Sequence, residues 1–212
     1  MAIVAPTITA FDMDQFKAQA ELLQTFARRV HLDLMDGEFA PTTSPTLKDL
    51  WPLEGVVTDL HVMYQRPMEH LDEMLALKPH MVVWHQEADV DHEAFAAALH
   101  KAGVKAGIAL LQKTPVSEAE PLLHVCDHLL VFSGNLGYHG GSAVDFALLG
   151  KAKRALELKP ELEIGWDGGI SDQNAVQLVR GGVEVLNTGG FIHKAPVPKD
   201  AFTALQALVD RA

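Results

Sequence analysis

The 212 residues carry 17 Lys+Arg against 28 Asp+Glu, a formal net charge of −11, so neither nucleic acid nor a membrane surface is expected as a partner, and an anionic small molecule must be met by a locally positive site. Hydrophobic residues make up 48% and charged residues 21%, which suits a globular chain with one full core, and no apolar stretch reaches membrane-spanning length.

The first apolar run, MAIVAPTITAFD, is short, is broken by Pro6 and lacks a basic leader or a cleavage site. It reads as a strand over 3–9 rather than a signal peptide. Asp12 with Gln15 resembles a capping box, and Phe16, Ala20, Leu23 and Ala27 recur at helical spacing, which predicts a helix over 12–28. A strand follows over 30–34, where His31 and Asp33 alternate with Val30, Leu32 and Leu34 and so share one face. Residues 38–52 hold three prolines and read as a long loop with at most a short helix. Further strands are predicted over 56–63, 81–85, 105–110, 128–133, 163–167 and 184–188. Asp59 and His61 share a face of the third. A helix over 92–102 ends at Gly103, and Ser171 is expected to cap one that stops before Gly181-Gly182. The lone Cys126 lies in an apolar run, forms no intrachain disulfide and fits a buried thiol in a reducing cytoplasm.

Eight strands alternating with helical segments predict an α/β fold, a single (β/α)8 TIM barrel over 1–212. A doubly wound open sheet is the structural alternative. The barrel is favoured because the residues that carry chemistry sit at the C-terminal ends of several strands.

His31, Asp33, His61 and Asp167 are those residues. Unpaired carboxylates and imidazoles pointing into a core each cost roughly several kcal/mol, so four of them demand mutual compensation, which one divalent cation supplies. The mixed nitrogen and oxygen donors suit Zn, Fe, Mn or Co, with no choice among them. Any lone histidine of the 11 reads as structural; the convergence of four groups at strand ends changes that.

Asp167-Gly168-Gly169, Gly189-Gly190 and the loop 135–142 with Gly140 and Gly141 place glycine-rich turns after the last three strands. One such turn alone is ordinary. Three on one rim suggest backbone amides around a phosphate. Met35 and Met63 fall on the ligand face and read equally as core filler or as an apolar wall over a reacting intermediate.

Together these residues resemble ribulose-phosphate 3-epimerases. The resemblance rests on HLDLMDG (31–37), DLHVM (59–63), HQEA (85–88), GIALLQKTP (107–115) and WDGGI (166–170), in order along nearly the whole chain. It implies a (β/α)8 barrel, one divalent metal held by His31, Asp33, His61 and Asp167, and Asp33 and Asp167 as the acid/base pair acting through an enediolate. It implies substrate contacts from Met35, Met63, Gly140, Gly141, Gly168, Gly169, Gly189 and Gly190, with Thr7 standing where the family usually has Ser. A small-molecule sugar phosphate and a homo-oligomer are expected partners, and the cytoplasm the expected location. NLGYHGGS (135–142) departs from the family's phosphate loop, as do Glu38, Thr42, Gln112 and Lys113 elsewhere on the rim. A hexulose 6-phosphate such as allulose 6-phosphate is therefore an alternative substrate. Lys113 and His139 read as solvated loop residues. A related lyase or synthase is disfavoured by the MDG segment, and a catalytically silent sugar-phosphate-binding barrel by the retention of all four ligands.

Overall fold

The computed structural model describes residues 2–138 and 142–212. Eight parallel strands close into a barrel in chain order: β1 (Ile3–Thr9), β2 (Arg29–Met35), β3 (Val57–Met63), β4 (Met81–His85), β5 (Lys105–Leu110), β6 (His128–Phe132), β7 (Glu163–Asp167) and β8 (Val185–Thr188). Helix α1 (Met13–Gln24) follows β1, α2 (Leu71–Ala76) follows β3, α3 (His92–Lys101) follows β4, α4 (Leu149–Leu158) follows β6 and α5 (Ala175–Arg180) follows β7. The short α6 (Gly190–His193) and α7 (Pro198–Val209) follow β8. The expected barrel is therefore present, with two connections that contain no α-helix. After β2 the proline-rich segment forms a long loop with a 3₁₀ turn at Leu47–Asp49. After β5, where Pro115 and Pro121 interrupt any longer helix, two 3₁₀ turns span Val116–Glu118 and Glu120–Val125.

Local chemistry sets several of the helix ends. Asp12 accepts from the Gln15 amide at 2.8 Å, and the Gln15 side chain accepts from the Phe11 amide at 3.2 Å, so the capping pair forms. Helix α1 stops at Gln24 rather than 28, because the Thr25 hydroxyl takes the Leu22 carbonyl at 2.7 Å. Gly103, at φ +77°, ends α3: Val104 donates to Leu99 O and Gly103 to His100 O, a Schellman closure. Ser171 does not cap α5. Its hydroxyl accepts from Gln173 N and its own amide donates to Asn174 Oδ1 at 2.9 Å, closing a separate turn, and Asn174 occupies the capping position. Cys126 is buried, and that burial pushes its thiol up to about 12, as an inert core thiol requires.

The two faces of the strands do different work. Outward residues such as Ile8, Leu32, Leu60, Trp84, Ile108, Val131 and Trp166 pack with Phe16, Phe95, Leu99 and Leu178 of the helices in one apolar shell. Inside, Met81, Val83, Ala109 and Leu130 make a small apolar girdle. A polar layer lies on each side of it: Arg29, Asp59, His128 and Glu163 at the N-terminal floor, and the histidines and aspartates of the candidate site toward the C-terminal mouth.

Candidate active site

Strand register brings the site together. Asp33 of β2 stands opposite Thr9 of β1 and His61 of β3, while His31 stands opposite Thr7 and Asp59. Asp167, the last residue of β7, pairs with Phe132 and Asn187. One donor atom each from His31, Asp33, His61 and Asp167 lies within 4.8 Å of every other. Asp33 Oδ1 is 3.0 Å from His61 Nδ1 and 3.5 Å from His31 Nε2. Asp167 Oδ2 is 3.7 Å from His61 Nδ1 and 3.9 Å from His31 Nε2.

This cluster passes a test for a divalent cation. His31 Nε2 is buried, faces both carboxylates and makes no hydrogen bond. Burial pushes the His31 imidazole down to about 3, so it is neutral at pH 7 with a free lone pair. Two nitrogen and two carboxylate donors fit zinc, iron, manganese or cobalt, and nothing in the set selects one.

The two aspartates have unlike surroundings. Burial alone would raise both. Asp33 nevertheless lies below the usual carboxylate range, because His61 and the Thr9 hydroxyl, which donates at 2.6 Å, hydrogen-bond its oxygens and His31 lies close. Burial and the neighbouring charge of Asp33 hold Asp167 well above that range.

Above the carboxylates a cavity of about 270 Å³ opens at the barrel mouth. Asp33 and Asp167 form its floor; Met35 and Met63 line one side, and Gly168, Gly169, Gly189 and Gly190 another. The predicted Gly140 and Gly141 lie outside the described residues. Gly168, at φ +114°, would place a Cβ 2.4 Å from the Gly134 amide nitrogen, and Gly189 would place one 2.5 Å from Thr7 Oγ1. Both positions therefore need glycine for close approach of the backbone. At Gly190 the nearest atom to such a Cβ is Lys194 Cε at 3.9 Å, so there glycine leaves open space beside the cavity.

Thr7 and Thr9 both line the cavity, but Thr9 is the hydroxyl that reaches Asp33; the two threonines share one face of β1 and touch at 3.3 Å. Asp36, the second aspartate of HLDLMDG, stays out of the site: it accepts from the amides of Glu38, Phe39 and Gln65 and pins the lip loop. Glu38 pairs with Arg66, and Thr42 donates to Gly137 O at 2.7 Å, tying that lip to the loop after β6. Three further residues carried no sequence expectation. His85 is wholly buried with its Nε2 2.9 Å from His61 Nε2. Glu87 lies beyond it, and Lys194 is the only cationic side chain among the described residues that line the cavity. The same rule that picked out His61, a polar residue on the inner face at a strand's C-terminal end, also describes His85.

Among the described residues no helix is long and apolar enough to cross a membrane. Comparison with solved structures shows the barrel again. KGPDC from Streptococcus mutans superposes with a TM-score of 0.71 at 12% identity, over 100% of this chain and 98% of that one. 3-Hexulose-6-phosphate synthase from Salmonella typhimurium superposes with a TM-score of 0.68 at 14% identity, over 99% of each. At sequence level the relationship narrows. The ribulose-phosphate 3-epimerase of Treponema pallidum is 28% identical over 194 residues, 88% of each chain, and that of Helicobacter pylori is 28% identical over 210 residues, 96% of each. The sequence model of the ribulose-phosphate 3 epimerase family matches residues 3–193, all eight strands included, and the chain belongs to that family of isomerases.

Proposed function

We propose that this chain is a divalent-cation-dependent 3-epimerase of a ketose phosphate, of the ribulose 5-phosphate/xylulose 5-phosphate type, acting as one barrel domain in the cytoplasm and assembling as a homo-oligomer. The observation that carries the reading is the pair of carboxylates, Asp33 and Asp167, beside two buried imidazoles under a cavity walled by glycines. His31, Asp33, His61 and Asp167 would hold the cation, which supplies positive charge beside the substrate carbonyl and so acidifies the adjacent C–H.

Inversion at one carbon requires a base on one face and an acid on the other. Asp33 sits on β2 and Asp167 on β7, far apart around the barrel wall, so their carboxyl groups approach the cavity floor from different sides. One takes the C3 proton, leaving a planar enediolate, and the other returns a proton to the opposite face. Thr9 fixes one oxygen of Asp33 and thereby its orientation. Met35 and Met63, which pack with Ala40 and Phe39, keep that part of the wall apolar and exclude water from the planar species. The backbone at Gly168, Gly169, Gly189 and Gly190 takes the phosphate, helped by Lys194.

The test is deuterium incorporation from solvent, screened across pentulose and hexulose phosphates with added cation. Incorporation at C3 with interconversion of epimers supports the reading, and its absence from every ketose phosphate overturns it. Hexulose 6-phosphates belong in the screen because NLGYHGGS alters the phosphate end while the proton-transfer pair is unchanged. Lys194→Ala should raise KM roughly tenfold, the loss of one charge-assisted contact, with kcat nearly unchanged. Steady-state kinetics at fixed ionic strength would show this, and an unchanged KM would remove Lys194 from the phosphate site.

A further inference from the structure

The HQEA segment at the end of β4 has no part in the proton transfers above, yet it places a buried imidazole, His85, and a half-buried carboxylate, Glu87, behind the cluster. His85 Nε2 lies 2.9 Å from His61 Nε2, and its other nitrogen, Nδ1, lies 3.5 Å from Glu87 Oε2. Neither His85 Nδ1 nor Glu87 Oε2 makes a hydrogen bond. Glu87 is itself held in place: its Oε1 accepts from the Leu111 amide at 3.1 Å and from the Thr114 hydroxyl. Phe39 covers the His85 ring at a centroid distance of 4.9 Å, and Phe132 meets it edge-on at 5.6 Å, so ring rotation is blocked from both sides.

The two facing Nε2 atoms share one proton, and its placement decides what His61 offers the cluster. If the proton is on His85, a neutral His85 presents a bare Nδ1 to the Glu87 carboxylate, lone pair against lone pair. His61 then carries its own proton on Nδ1, toward Asp33, and has no lone pair for a cation. If the proton is on His61 Nε2, His85 accepts it, and His85 carries a proton on Nδ1 that points at Glu87. His61 Nδ1 is then bare and aimed at Asp33 and Asp167. Only the second arrangement gives Glu87 Oε2 a donor. It gives up the hydrogen bond at 3.0 Å by which His61 Nδ1 lowers the Asp33 carboxyl when no cation is bound, and a bound cation compensates for that loss.

We infer that Glu87 and His85 form a tautomer lock that keeps His61 in its Nε2–H form, with Nδ1 free to ligate the cation. They are positioning residues that act through His61. The inference rests on the proposed cation at the four-residue cluster, and it adds that the affinity of that cluster is set from a residue that never touches the ion. Outer partners of ligating histidines commonly change metal affinity by roughly 10–100-fold.

The experiment is Zn²⁺ binding to metal-free protein by competition with a chromophoric chelator, for wild type, Glu87→Gln and Thr114→Val, with His31→Ala as the control. Glu87→Gln should bind Zn²⁺ roughly 10–100-fold more weakly, because an amide can donate to His85 Nδ1 and so favours the opposite tautomer. Thr114→Val keeps the carboxylate but frees it, and should lose a smaller factor; it tests the same chain if Glu87→Gln fails to fold. Imidazole ¹⁵N spectra of the wild type with Zn²⁺ should show His61 protonated at Nε2 and His85 at Nδ1. A wild type that binds tightly with Glu87→Gln its equal, or a His85 protonated at Nε2, overturns the lock and leaves the proposed function standing. A wild type that binds no more tightly than His31→Ala overturns both.

Discussion

Asp167→Asn and Asp33→Asn are each expected to slow epimerisation by about 10²–10⁴-fold, the usual cost of removing a positioned acid or base. Asparagine keeps the shape of the side chain but cannot take a proton, so each change removes one half of the transfer. The two variants should differ in what they retain. On the proposed mechanism each carboxylate serves one face of C3, so the survivor should still exchange the C3 proton of one epimer with solvent without converting it to the other. Deuterium incorporation followed separately from each epimer, at saturating cation, should show complementary patterns in the two variants. Loss of exchange from both epimers in both variants would point to a single base, and unchanged epimerisation in either would remove that aspartate from the mechanism. Near-UV circular dichroism provides the check on folding. Asp33 carries more structural load, since it accepts from Thr9 and faces both imidazoles, whereas Asp167 meets the cluster only at 3.7 and 3.9 Å. Any loss of stability should therefore be greater in Asp33→Asn.

Much of this site could be read from strand periodicity. His31 with Asp33 and Asp59 with His61 share faces because side chains alternate along a strand, and in a closed barrel the face opposite the apolar shell is the interior. The capping pair at Asp12 and the stop at Gly103 are local and therefore legible. What escaped depends on pairing across strands or on competing local bonds. Thr7 and Thr9 are equivalent along β1, and only the register opposite β2 assigns Thr9 to Asp33. His85 acts through His61, so its role has no signature in β4 alone. Ser171 looks like a helix cap until its hydroxyl and amide are found closing a turn with Gln173 and Asn174. Arg29 is the largest omission: it falls just before the strand predicted over 30–34 and carries no sequence expectation, but in the barrel it is buried and meets a carboxylate 134 residues away.

Replacing Arg29 by methionine is expected to cost about 3–5 kcal/mol of stability, the range for breaking a buried ion pair by removing one partner. Its guanidinium donates to Asp59 Oδ2 at 2.5 Å and, through two nitrogens, to both oxygens of Glu163 at 2.8 Å. His128 Nδ1 adds a contact to Glu163 Oε2 at 2.8 Å. Gly165 makes room for that histidine, since a Cβ there would fall 2.4 Å from His128 Nε2. Methionine fills similar space but leaves Asp59, whose burial already raises its carboxyl, with no cation beside it. Urea unfolding should show the loss as a lower midpoint, and a change under about 1 kcal/mol would mean that the floor is solvated in the folded protein. Glu163 adds a pH dependence of definite sign. Burial opposes its ionisation, but the hydrogen bonds from Arg29 and His128 prevail and hold it far below its ordinary value of 4.5. Its contribution is thus complete above about pH 4.5 and declines as pH falls further toward the folded-state value. The stability gap between wild type and Glu163→Gln should accordingly hold constant from neutrality to that point and close below it. Because desolvating these charges is itself costly, replacing Arg29, Asp59 and Glu163 together by apolar residues of matched volume should recover most of what Arg29→Met alone loses.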